Sequence, residues 1–133
     1  QHILEVRLGL DTQAARLAAR NATPDDVTAL RALLTARDQA WHGGDYEAWA
    51  QADWGFHDRV AQASGNPLLH ELYVSFGPVF HQDLLAQHRR PGFQGLPPEG
   101  HEVLLDAIER RDEAGAVATV NRNLNSCAEW LGA

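Results

Sequence analysis

Three breaks divide most of this chain into segments of similar length, and each joins a helix stop to a helix start. They are Asn21-Ala22-Thr23-Pro24, His42-Gly43-Gly44-Asp45 and Gly65-Asn66-Pro67. Thr23, Asp45 and Asn66 carry side-chain oxygens that accept from the free N–H groups of a first helical turn. Pro24 and Pro67 suit the first helical position, and Asp25 and Asp26 favour the positive helix end. Between the breaks, apolar residues recur at helical spacing, with no sustained alternation and no Asn-Gly hairpin turn. The pattern predicts helices over 3–20, 24–41, 45–64 and 67–89. A Gly- and Pro-rich loop, RRPGFQGLPPEG, precedes a fifth helix over 98–110 and a last one over 112–131. In the first helix, Ile3, Leu4, Leu8, Ala15, Leu17 and Ala18 are the expected buried stripe. The expected fold class is an all-α, single-domain bundle with short loops.

Composition narrows what such a bundle does. A chain of 133 residues is one domain with room for a real core. Its net charge of −7 excludes a phosphate-binding surface, which needs clustered cations. No apolar run approaches the roughly 18 residues of a membrane span, and no signal-peptide pattern opens the chain. The lone cysteine, Cys127, excludes an internal disulfide and suits a reducing, cytoplasmic setting. The chain contains no Met and opens on Gln1, so it is expected to be a piece of a longer protein. Every basic residue is Arg, a bias that fits a GC-rich bacterial genome.

The polar residues on apolar helix faces carry the chemical content. In DWGFHDRVAQASGN, Asp53 and His57 stand one turn apart, about 40° around the axis and about 6 Å along it. His101 falls on the same face as Leu104, Leu105 and Ile108, where a histidine costs desolvation unless it finds a partner. Asn123 follows on the last helix. A carboxylate and two imidazoles from separate helices make a first shell for a divalent transition metal. A core histidine hydrogen-bonded to an aspartate explains the same residues without one. Arg7, among apolar neighbours in LEVRLGL, reads equally as a carboxylate clamp or as an internal ion pair with Glu5 or Asp11. Asn66 reads as a helix cap, and His81 and His88 read as surface residues, with a cavity-facing placement as the alternative. Trp41, Trp49, Trp54 and Trp130 read as core or interface residues.

Taken in order, LEVRLGLDTQAARLAARNATPDDVTAL, DWGFHDRVAQASGN and HEVLLDAIERRDEAGA resemble the FCD domain over essentially the whole chain. That domain is the effector-binding module of FadR-subfamily GntR transcription regulators. The resemblance implies an antiparallel bundle of about six or seven helices around a central cavity. It implies a divalent metal there, zinc first with nickel or manganese as alternatives. The family's Asp and three His match Asp53, His57, His101 and, as a departure, Asn123. An amide oxygen is neutral and a poorer donor than imidazole, so Asn123 is the weakest of the set. Asn123 ligates weakly, orients the effector, or marks a site that binds metal poorly. A second departure is Gly100, where the family often has Glu.

The implied function is sensory. A small carboxylate effector binds the metal and pairs with Arg7, Asn123 lies beside it, and the domain forms a homodimer. DNA is contacted only through a winged helix-turn-helix domain preceding Gln1 and absent from this chain. The chain is not expected to be an enzyme: no Glu-x-x-His pair, His-Glu-x-x-His or nucleophile elbow is present. A metal-free helical dimerisation module is the main alternative, and a metal-dependent enzyme the lesser one.

Overall fold

A computed structural model describes residues 2–92 and 98–130 of the chain, the side chains of 98–99 and 127–130 excepted. Six helices account for almost all of it. They are α1 (His2–Asn21), α2 (Pro24–His42), α3 (Tyr46–Ala63), α4 (Pro67–His88), α5 (Pro98–Glu109) and α6 (Glu113–Trp130). The side chain of Cys127, expected to be a small core or interface residue, and that of Trp130, the centre of the 89–100 loop and the end of the last helix at 131 lie outside the described residues.

The starts form as the capping residues dictate. Thr23 and Asp26 make a reciprocal capping box, the Thr23 hydroxyl accepting from the Asp26 N–H and the Asp26 carboxylate accepting from the Thr23 N–H. Asp45 accepts from the Ala48 N–H, and Asn66 accepts from the N–H groups of Leu68 and Leu69. Gly44 and Gly65 take positive φ, at 75° and 72°, in the turns between helices. Arg111 adopts a φ of 62° in the tight α5–α6 turn, where its guanidinium donates to the carbonyls of Ala19 and Arg20 at the end of α1.

The central element is α1, which packs against α3, α4, α5 and α6, while α2 covers α3 and α5. Small side chains allow that crowding: Ala14, Ala15, Ala18 and Ala19 are all buried. The expected stripe holds except at Leu8: Ile3, Leu4 and Leu17 are half-buried against the core, and Ala15 and Ala18 are buried. Leu8 is 41% exposed, and the first fully buried residue of α1 is Asp11. Leu8 is displaced from the core because the face through Arg7 and Asp11 is turned inward, towards the polar interior. Around the alanines, Leu30, Phe56, Tyr73, Leu105 and Ile108 fill the centre. Burying each of these large side chains contributes about 1.5–3 kcal/mol.

Close approach also shapes α4. A Cβ on Gly77 would lie 2.8 Å from Trp54 Cζ2, so only glycine lets α4 pass over the indole at that point. Pro78 follows inside the same helix, removing one backbone donor. This crossing fixes Tyr73 and Phe80 against Trp54 and so forms one wall of the polar interior.

Candidate metal and effector site

Asp53 and His57 project from one face of α3, as their spacing requires, with His57 Nε2 3.6 Å from Asp53 Oδ2. His101, in the second turn of α5, points its Nε2 to within 3.0 Å of Asp53 Oδ1. One ligand atom from each of the three residues lies within 4.8 Å of the others. Phe56 sets its edge against both imidazoles, with ring centres 5.5 Å from His57 and 5.2 Å from His101. Being fully buried itself, Phe56 restricts how far either ring can turn.

The protonation states suit metal ligation. Burial works against an ionised Asp53, but His57, His101 and Arg37 around it hold the carboxyl well below the ordinary carboxylate range. Burial also pushes the His57 imidazole down to about 4, against the pull of Asp53 and Asp11. At neutral pH the pair is thus a carboxylate and a neutral imidazole, the forms that bind a cation. His101 is 7% exposed; its Nε2 is paired with Asp53 Oδ1, and its Nδ1 has no hydrogen-bond partner among the described residues. The donor set of one carboxylate oxygen and two imidazoles therefore fits a divalent transition metal.

Arg37 is the functional neighbour that sequence reasoning missed. It extends from α2, is 3% exposed, and donates from Nε to Asp53 Oδ1 at 2.9 Å. Its guanidinium also lies over the Trp49 ring at 5.4 Å. One carboxylate oxygen is thereby engaged by Arg37, and Oδ2 is the oxygen turned towards His57.

Arg7 takes the ion-pair alternative with Asp11, at 3.3 Å from its Nε, and lies over the Phe80 ring at 5.3 Å. The hydroxyl of Tyr73 donates to the other oxygen of Asp11. Burial and the Asp11 charge push the phenol well above its ordinary range, so it stays neutral. Arg7 and His57 together line two small adjoining hollows. The first is walled by Asp11, Tyr73, Leu104 and Asn123 and leaves about 30 Å³ for the centres of water molecules. The second, beside Asp53, Trp54 and His81, leaves about 20 Å³. These spaces hold roughly one or two waters each. Where one central cavity is expected, the described residues leave these two small hollows around the polar groups.

Asn123 shares the first hollow with His57, and its side chain donates to the carbonyl of Gly100 at 3.2 Å. His81, half-buried, takes the cavity-facing alternative: it borders the second hollow and sits 2.8 Å from Glu47. The reason is the α4 crossing at Gly77, which turns the following residue face towards α3. His88 is likewise half-buried, its ring tilted against Tyr46 with ring centres 4.1 Å apart.

The described residues thus form an all-helical bundle with a carboxylate–imidazole cluster at its centre. The FCD domain family signature matches residues 2–126, and the chain belongs to that family. It is 26% identical over 137 aligned positions to the HTH-type transcriptional repressor NanR of Escherichia coli K12, covering 97% of this chain and 49% of the repressor. The NanR of Citrobacter rodentium is 27% identical, with 97% and 50% covered. Among solved structures, E. coli McbR/YncC superposes with a TM-score of 0.79 at 27% identity, over 98% of this chain and 66% of that one. A Streptococcus agalactiae GntR shares the fold, with a TM-score of 0.79 at 23% identity over 96% and 57%. The chain thus spans about half the length of the curated relatives it matches. Those relatives are transcriptional regulators.

Proposed function

We propose that this chain is the effector-sensing domain of a GntR-type transcription regulator and that it binds a divalent metal through Asp53, His57 and His101. The observation that carries the reading is the convergence of these three side chains, one ligand atom from each within 4.8 Å of the others, with the His101 imidazole buried and facing the Asp53 carboxylate. Zinc is the first choice for one carboxylate and two imidazoles, with nickel or manganese next. When bound, the metal supplies a Lewis-acidic anchor for a small carboxylate effector. The remaining contacts belong to the protein. Arg7 offers a planar fork to the effector carboxylate, Tyr73 and Asp11 hold that guanidinium in place, and Asn123 lines the same hollow.

The hollows are too small for an organic acid as they stand, so effector entry requires α1, α4 and α6 to move apart around it. That requirement is the source of coupling. α1 contacts four other helices and carries Arg7, so a ligand that displaces Arg7 repositions the helix closest to the chain start. In the whole protein, α1 transmits this shift to an N-terminal winged helix-turn-helix domain, which alone contacts DNA. The expected assembly is a cytoplasmic homodimer reading paired half-sites. A coupling of about 1–3 kcal/mol changes operator affinity from several-fold to about a hundredfold.

A metal-free helical module is the second reading, favoured by Arg37, whose charge already compensates Asp53 without an ion. The two separate by calorimetric titration of the chelated protein with zinc, followed by a panel of small carboxylates. The sensory reading expects zinc binding first and acid binding only to the zinc-loaded protein. Acid binding that is indifferent to zinc would contradict it.

A further inference from the structure

The geometry points to Gly100 and Asn123 as a coupled pair: the Asn123 amide ties α6 to the backbone of α5 next to His101, and Gly100 makes the space for it. Asn123 is then a positioning residue for His101 and not a metal ligand. The inference rests on the proposed metal site only for its metal readout.

Two observations carry it. The Asn123 Nδ2 donates to the Gly100 carbonyl at 3.2 Å, across 23 residues of sequence. That carbonyl belongs to the residue immediately before His101, in the first turn of α5. A carbonyl oxygen has two lone pairs, so it can accept from Asn123 as well as from its own helix. Independently, a Cβ built on Gly100 would lie 2.5 Å from Asn123 Oδ1, 2.9 Å from its Cγ and 3.1 Å from its Nδ2. Those three atoms are the closest neighbours such a Cβ would meet. Any side chain at 100 would therefore occupy the space of the amide itself, and the amide would have to swing away and lose the carbonyl. Neither residue explains itself alone. Glycine inside a helix costs about 1 kcal/mol relative to alanine, and a half-buried asparagine needs a partner. Together each accounts for the other.

The tie fixes His101 indirectly. Further along α5, Leu104, Leu105 and Ile108 anchor the helix in the core, and Asn123 grips the turn from which His101 projects. With its Nδ2 held on the backbone, the amide stands against α5, leaving Asp53, His57 and His101 as the protein's contribution to the metal.

The test is a double-mutant cycle of Gly100→Ala and Asn123→Ala, read in two ways. In thermal melts without metal, Gly100→Ala should change the melting temperature more favourably in the Asn123→Ala background, where the helix gains alanine without the collision, than in the native protein. Equal changes in the two backgrounds overturn the pairing. With cobalt as the probe, the visible absorption bands of the Asn123→Ala protein should keep their positions, because no ligand is lost. Zinc affinity, measured by chelator competition, should fall several-fold to tenfold in either single variant and no further in the double variant. Shifted cobalt bands would place the amide oxygen on the metal and overturn the inference, as would zinc affinity unchanged across the cycle. If none of the four proteins takes up cobalt, the metal site itself fails, and the melting cycle alone decides the tie.

Discussion

Arg37 reaches from α2 to place its Nε 2.9 Å from Oδ1 of Asp53 on α3, and both side chains are withdrawn from solvent. This pair makes the Asp53 carboxylate tolerable in a core without metal, and it leaves Oδ2 facing His57. The site therefore has a resident cation that is not exchangeable, beside the place where an exchangeable one fits.

Removing that resident cation should be costly. Breaking a buried pair by deleting one partner typically costs about 3–5 kcal/mol, because the remaining charge is stranded. Arg37→Met is expected to lose about 3 kcal/mol in urea denaturation of the chelated protein, with zinc restoring more stability to the variant than to the native protein. A loss below about 1 kcal/mol would show that Asp53 does not depend on Arg37.

The pH dependence follows from His57. The unfolded chain takes up a proton at His57 near its ordinary 6.5, whereas burial delays uptake in the folded chain to about 4. Its contribution is complete above 6.5 and is lost as the pH falls from 6.5 towards 4, amounting to roughly 3 kcal/mol across that window. Asp53 acts in the same direction but at lower pH, because its folded carboxyl lies well below the ordinary 3.8. Urea midpoints of the chelated protein should therefore decline between neutral pH and about pH 4.5, and His57→Gln should flatten the slope. An unchanged slope in that variant would assign the loss to other groups.

The α3–α4 crossing is testable without any ligand. Gly77→Ala drives a methyl into the Trp54 indole, 2.8 Å from Cζ2, and the ring is itself stacked on Tyr73. The expected cost is about 1–3 kcal/mol by chemical denaturation, with a perturbed near-ultraviolet dichroism from the displaced indole. Stability equal to the native protein would mean that α4 shifts freely over α3.

Much of this arrangement was legible in the chain because its signals are local. Caps and prolines at Thr23-Pro24, Asp45 and Asn66-Pro67 place helix starts within a residue or so of the observed ones. The four-residue spacing of Asp53 and His57 required them to share a face, and the apolar neighbours of His101 required it to be buried. What stayed hidden depends on tertiary approach. Nothing near Arg37 in sequence distinguishes it from Arg31, yet Arg31 is exposed and paired with Glu109 while Arg37 reaches Asp53 16 residues away. The Tyr73–Asp11 contact spans 62 residues. Hydrophobic periodicity does not anticipate a helix that turns an Arg7–Asp11 face inward and leaves Leu8 exposed. The Gly77 crossing, four residues before His81, has no periodic signature. The missing side chain of Gly100 gains meaning only from Asn123, which is distant in sequence.

The central claim is a divalent ion held by Asp53, His57 and His101, and metal content tests it most directly. Purified native protein, His57→Ala and Asn123→His should be compared by inductively coupled plasma mass spectrometry, with circular dichroism to verify the fold. The account predicts about one equivalent of zinc, nickel or manganese in the native protein, its loss in a folded His57→Ala, and its retention in Asn123→His. Metal in Asn123→His alone, or in none of the three with their folds intact, would contradict it.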